Sequence, residues 1–291
     1  MTFRSIMSRL VHRLRGNADA PRSPNFFDLS DLHPIGNMRG GLITNKAGRA
    51  VLRARHRGRD VKLYEAHSPQ HARFIAAVSA ALPDLFPEVL ELRGAWVMAE
   101  WIEGRPPEGA IQERQAEALR RIHALPPEDL PPAGFCYLRD FLLPRYLRAA
   151  ALAGEASTLD AIAAQTESAG DARIVMHPDL SPDNLLRAAD GRLVCIDNEL
   201  LCTGRLPLLD LCNAMRPLGQ DQRNRLAATW FEGAPPAQDQ IERTAKAWMM
   251  REAGSAFITG RMSNCAKMIS ASKGELVAKL PFAGTIDRTG P

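Results

Sequence analysis

Apolar positions follow one spacing up to Glu103 and another beyond it. Between Leu29 and Glu103 they come in short runs. Ala50 to Arg55 and Asp60 to Tyr64 are two β-compatible stretches separated by Arg57 and Gly58, which predicts a hairpin with a tight turn. Trp96, Val97, Met98 and Ala99 form a further apolar strand that runs into the polar turn from Glu100 to Gly104. One helix is expected among these strands, with Ser68 as N-cap, Pro69 as first helical residue, and Phe74, Ile75, Val78 and Leu82 as its buried stripe. Beyond the Pro- and Gly-bearing stretch from Gly104 to Gly109 the period becomes helical. Helices are predicted over Gln112 to Leu125, Tyr137 to Ala153 with a kink or break at Pro144, a shorter one capped by Ser157, Gln222 to Phe231, and Gln238 to Met262. In the last two, Leu226, Trp230, Ile241, Ala245, Trp248, Met249, Phe257 and Ile258 are the buried candidates, and the tail beyond Lys279 reads as loose.

Between these helices lies a stretch with a different content, MHPDLSPDNLLRAADGRLVCIDNELLCTGRLPLLDL, from Met176 to Leu211. Leu193 to Ile196 is a short apolar run after the turn pair Asp190 and Gly191, so it forms the far arm of a hairpin that delivers Asp197. Asp179 precedes Asn184 by four intervening residues. In protein kinases an Asp and an Asn at that spacing accept the substrate hydroxyl proton and hold magnesium, and a second Asp after the next strand holds the metal that bridges the phosphates. The plain alternative is a hairpin with surface carboxylates.

HPDLSPDN followed by CIDNE resembles the aminoglycoside and choline kinase-like phosphotransferases. The resemblance implies an α+β, bilobal protein kinase-like fold, with a small β-rich N-lobe and a larger, mainly helical C-lobe. Residues 26–104 would form the nucleotide-binding lobe and residues 105–291 the catalytic and acceptor-binding lobe, preceded by a basic segment and linker over 1–25. By the same resemblance Asp179 is the catalytic base, assisted by Asn184. Asn184, Asp197 and Glu199 form the magnesium site, His177 supports the loop and Asp210 braces it. Gly40 to Asn45 resembles the family's glycine-rich opening, so Gly41, Thr44 and Asn45 would cover the phosphates. Lys62 matches the strand lysine that contacts the α and β phosphates, and Glu100, Trp101 and Ile102 match the hinge that meets adenine through its main chain. His123, in RRIHAL, is structural. Pro178 stands where the family usually has glycine, which stiffens the loop.

One departure is internal. Kinases position the strand lysine with a Glu on the following helix, but Ala66 to Pro83 contains no acid, and His71 stands near the expected place. Glu65 at the strand end, or nucleotide alone, is left to fix Lys62.

Composition narrows the classes. With 291 residues, 45% of them apolar, the chain can bury a proper core, and no apolar run approaches spanning length. A net charge of +4 and 6% aromatic residues do not favour a nucleic-acid partner. Cys136, Cys195, Cys202, Cys212 and Cys265 form no C-x-x-C pair and read as core thiols of a cytoplasmic protein. Residues 1–16 carry Phe3, Ile6, Met7, Leu10, Val11 and Leu14 at helical spacing among Arg4, Arg9, His12, Arg13 and Arg15. This basic amphipathic segment is open to two uses, peripheral contact with an anionic membrane or organelle targeting; the plainer reading is a helix packed on the lobe or a partly disordered terminus. Asn17 to Pro24 reads as a linker.

The expected activity is direct in-line transfer of the γ-phosphate of ATP, with Mg2+, to a hydroxyl of a small-molecule acceptor. After Gly204 basic residues outnumber acidic ones, which disfavours a polycation and favours a neutral or anionic acceptor such as a sugar, an amino alcohol or a lipid-linked head group. An aromatic cage for choline would need Trp230, Phe231 and Trp248 to converge. Two other classes stay open: a nucleotide-binding pseudokinase scaffold, motivated by the missing helix acid, and a membrane-peripheral kinase of a lipid or envelope glycan. No H-R-D, D-F-G or A-P-E segment supports a protein kinase.

Overall fold

The computed structural model describes residues 27–34, 51–109, 111–152, 172–232, 234–269, 271 and 273–283. The basic segment 1–16, the linker, Gly40 to Asn45 with the expected phosphate contacts Gly41, Thr44 and Asn45, and the Ser157 cap lie outside these residues.

Strands β1 (Ser30–Pro34), β2 (Val51–His56), β3 (Arg59–Glu65), β4 (Val89–Arg93) and β5 (Trp96–Glu100) form one antiparallel sheet in the order β1-β2-β3-β5-β4. The β2–β3 turn is the predicted one, with Arg57 and Gly58 both at positive φ. Side chains alternate across a strand, and β3 uses both faces. Val61 and Leu63 pack with Phe27, Trp96 and Met98 on one side, whereas Tyr64 joins Val97 and Ala99 in the main core on the other, the side to which alternation also assigns Lys62. Helix α1 (Pro69–Ala81) starts as expected, its cap Ser68 accepting the His71 N–H through Oγ, and buries Phe74, Ile75 and Val78.

Past the two-residue strand β6 (Gly104–Arg105) the chain is mainly helical. Helix α2 (Ile111–His123) buries Ala116, Leu119 and Ile122. Over Tyr137–Leu142 the backbone forms a wide π turn before α3 (Leu143–Leu152) begins. A kink was expected at Pro144, and the distortion instead precedes it. Proline supplies no N–H and its ring crowds the carbonyl four residues back, so the preceding turn widens and the proline takes the first turn of a fresh helix. Strands β7 (Ile174–Met176) and β10 (Cys202–Gly204) pair with each other, and β8 (Leu185–Ala188) and β9 (Leu193–Cys195) form the predicted hairpin, with β6 on its outer edge.

Helices α4 (Pro207–Met215), α5 (Gln220–Phe231), α6 (Gln238–Ile258), α7 (Met262–Ile269) and α8 (Lys273–Ala278) complete the lobe. The expected helix from Gln238 to Met262 therefore divides into α6 and α7. Gly260, at φ 72°, turns the chain between them, a conformation only glycine adopts freely. The first residues past Lys279 are better packed than expected: Leu280 and Phe282 are buried, and Phe282 meets Phe231 edge-on at 5.7 Å. Cys195, Cys202 and Cys212 are buried thiols, and burial raises the pKa of each. Among the described residues no helix is long and apolar enough to cross a membrane.

Candidate active site

The loop between β7 and β8 is built around two buried side chains. Asp210, fully buried in the first turn of α4, accepts the His177 N–H at 2.7 Å and faces His123 Nε2 at 3.0 Å. The bracing role expected of Asp210 and the structural role expected of His123 thus meet in one carboxylate. His177, also fully buried, stacks on Phe86 and places Nε2 at 3.1 Å from Asn198 Oδ1, which ties this loop to the one after β9. Asp179 follows two residues later and is partly exposed.

Asn184 Nδ2 donates to the Asp179 carbonyl at 2.7 Å, which turns its Oδ1 away as a hard oxygen donor. The Asn184 carbonyl accepts the Ile196 N–H at 2.8 Å, so Asn184 and Asp197 stand side by side across the hairpin. Asp197 has φ 66°, in the left-handed region that Asp tolerates better than most residues. A hard cation such as magnesium takes one or two protein oxygens and completes its shell with phosphate and water. Asn184 and Asp197 suit that donor set. Among the described residues no group of three or more His, Cys, Asp or Glu forms an all-protein cage.

Lys62 crosses from the sheet to this loop. Its Nζ lies 2.7 Å from Asp197 Oδ1 and 3.0 Å from Glu199 Oε1, with the lysine and Glu199 side chains 14% and 7% exposed. Among the described residues Glu199 makes no well-aligned hydrogen bond, so it acts on the ammonium as a charge partner. Burial lowers the Lys62 pKa, but Glu199 and Asp197 together outweigh it and hold the value above the ordinary lysine range. The lysine is charged. Glu65, the substitute expected from the strand end, is not among the acids at this ammonium, whereas Glu199, expected at the metal, faces it together with Asp197.

His71 has a different task from the acid it stands for. Its Nδ1 accepts the His67 N–H at 3.1 Å, which places the ring proton on Nε2, and Nε2 donates to the Leu201 carbonyl at 2.7 Å. A neutral imidazole therefore pins α1 to the loop that carries Asp197 and Glu199.

Between sheet and hairpin is a cavity of about 540 Å3 lined by Lys62, Tyr64, Val89, Ala99, Glu100, Trp101, Ile102, Gly104, Leu186, Ile196 and Asp197, among others. All three expected hinge residues border it. Apolar floor and roof, a backbone edge and a charged far end suit a nucleotide. Arg53 covers the mouth by stacking on Trp101, its Cζ 4.5 Å from the ring centroid. Tyr64 was not singled out from the sequence, and Arg53 stood out there only as one of the basic residues, with Lys46 and Arg55, that could supply positive charge near Lys62. Tyr64 was legible, because it shares the face of β3 with Lys62, whereas nothing in the sequence brings Arg53 to Trp101.

A sequence model of the phosphotransferase enzyme family matches residues 41–244, and the chain belongs to that family. Solved structures similar in fold include a choline/ethanolamine kinase family protein from Mesorhizobium loti, 16% identical, with TM-score 0.54 over 95% of this chain and 99% of that one. A thermostable mutant of the aminoglycoside phosphotransferase APH(4)-Ia, in ternary complex with ADP and hygromycin B, is 17% identical with TM-score 0.52, covering 88% and 95%. Choline kinase from Streptococcus pneumoniae is 12% identical with TM-score 0.50, covering 97% of each chain. Comparison with curated proteins gave no match. The fold is thus the expected protein kinase-like one, a β-sheet lobe and a helical lobe.

Proposed function

We propose that the protein transfers the γ-phosphate of ATP to a hydroxyl of a small molecule. The observation that carries this reading is the seat of Lys62, charged and fixed between Asp197 and Glu199 at the end of the cavity. The missing helix acid motivated the pseudokinase reading, and the Glu199 carboxylate 3.0 Å from Lys62 supports the transferase reading by offering the lysine a partner from the loop.

In this reading the hinge from Glu100 to Ile102 takes the adenine edge and Lys62 draws the phosphates toward the loop. Asp179 orients the acceptor hydroxyl and takes its proton as the oxygen attacks phosphorus and the bond to ADP breaks. Asn184 and Asp197 would hold magnesium. Magnesium, when bound, supplies neutralisation of phosphate charge. His71 and Asp210 keep the two loops in register.

Asp179→Ala is expected to lower kcat by roughly 10²–10⁴-fold with nucleotide affinity nearly unchanged. Asp197→Ala is expected to abolish magnesium-dependent nucleotide binding, read by calorimetry. Normal phosphate transfer by both variants would sink the assignment.

A further inference from the structure

We propose that a second pocket, on the face of the β8–β9 hairpin turned away from the nucleotide cavity, binds a small phosphate-bearing anion through Arg114 and Arg187. The inference goes beyond the phosphotransferase reading and does not depend on it.

The hairpin has two faces. Leu186 borders the nucleotide cavity, and by strand alternation its neighbours Leu185 and Arg187 point the other way, Leu185 into the main core. Leu193, the cross-strand partner of Arg187, shares that second face. Helix α2 supplies the opposite wall. Arg114, Glu117, Ala118 and Arg121 lie on one side of it, at spacings of three and four residues. The segment between α1 and β4 closes the end, the Leu85 carbonyl accepting the Cys195 N–H at 2.7 Å. These walls enclose a pocket of about 340 Å3.

Its charge is unbalanced. Four arginines line it, Arg114, Arg121, Arg187 and Arg192, against two acids, Asp84 and Glu117. Two of the arginines have partners. Arg121 Nη2 lies 2.7 Å from Asp84 Oδ1, and Arg192 Nε lies 2.6 Å from Asp190 Oδ2, with Nη1 donating to the Pro83 carbonyl at 3.3 Å. Among the described residues neither Arg114 nor Arg187 makes an ion pair or a side-chain hydrogen bond, and the exposed Glu117 pairs with neither. Both arginines are half-buried, where water and salt screen charge less than at an open surface.

An anion relieves that imbalance. Planar guanidinium groups match phosphate oxygens in pairs, and Arg114 and Arg187 approach from different walls, one from the helix and one from the hairpin. Arg114 and Arg121 stand two helical turns apart, about 10 Å, so the pocket has length for a phosphate and a short carbon chain. A cationic ligand would meet like charge, and an apolar one would strip water from arginines without replacing it.

Cleft and pocket share the hairpin as a wall, so the test fills the cleft first. The full chain is saturated with AMP-PNP and magnesium, and thermal unfolding is followed against inorganic phosphate at constant ionic strength set with sodium chloride. Saturable stabilisation is expected. Arg114→Gln and Arg187→Gln should each weaken phosphate roughly tenfold or more, the worth of a hydrogen bond to a charged group, and Arg114→Lys should recover part of the loss. Arg225→Gln, exposed on α5 and outside the pocket, removes the same charge and should leave phosphate affinity unchanged. No saturable shift, an undiminished shift in both Arg114→Gln and Arg187→Gln, or an equal loss in Arg225→Gln would overturn the proposal. Stabilisation by poly-glutamate and not by phosphate would overturn it in favour of an acidic protein partner. The shift given by AMP-PNP and magnesium alone reads the nucleotide site separately, so failure of either claim is distinguishable.

Discussion

Glu199→Gln isolates the contact on which the proposed activity rests. The exchange keeps size and removes charge 3.0 Å from Lys62 Nζ, while Asp197 stays at 2.7 Å. Loss of a whole buried ion pair costs about 3–5 kcal/mol. Because one partner remains, we expect about 2 kcal/mol, part of the loss of the whole pair. That corresponds to a fall in Tm of roughly 4–8 °C. If the lysine is misplaced by the same energy in the transition state, kcat/KM for ATP falls about 30-fold. Glu199→Asp should recover part of it. The pKa of Lys62 is raised in the folded protein, so this stabilisation is complete below the unfolded lysine pKa and is lost as pH climbs through the folded value. Wild type and variant should therefore converge in stability at strongly alkaline pH. Steady-state kinetics at several magnesium concentrations separates the two roles of Glu199. A defect erased by added magnesium, or wild-type stability and kinetics, would refute its role as the lysine's partner.

Two further substitutions test the scaffold. Asp210→Ala strips a fully buried acceptor from the His177 N–H and from His123, and should cost roughly 3–5 kcal/mol in urea unfolding; an unchanged midpoint would contradict the bracing role. Gly104→Ala places a Cβ 2.8 Å from the Arg187 carbonyl oxygen and 3.0 Å from Leu186 Cβ, so hinge and hairpin must part. We expect a loss of about 1–3 kcal/mol with weaker nucleotide binding, and wild-type affinity would show that the hinge does not depend on that approach.

Local signals carried much of the architecture. Ser68 and Pro69 announce α1, Asp190 and Gly191 announce the β8–β9 turn, and the spacing of Asp179, Asn184 and Asp197 marks one loop cluster. What escaped depends on distance in sequence. The Glu199 contact spans 137 positions and is set by the left-handed turn at Asp197 followed by the short 3-10 turn Asn198–Leu200. His71 looked like a poor lysine holder because its true partner, the Leu201 carbonyl, is a backbone atom that residue type does not reveal. The break at Gly260 sits inside a helical pattern, where one glycine is a weak signal, and burial of Phe282 follows from the position of Phe231, which periodicity in the tail does not contain.

Thermal unfolding with ATP, with magnesium, and with both together tests the phosphotransferase reading most directly. A ligand that binds only the folded state stabilises it by about 2.7 kcal/mol at about 100 times its Kd, a rise of roughly 5–10 °C. The account predicts that the full rise requires nucleotide and magnesium together and disappears in Asp197→Ala. No rise at saturating nucleotide and magnesium, or an equal rise in Asp197→Ala, would contradict it.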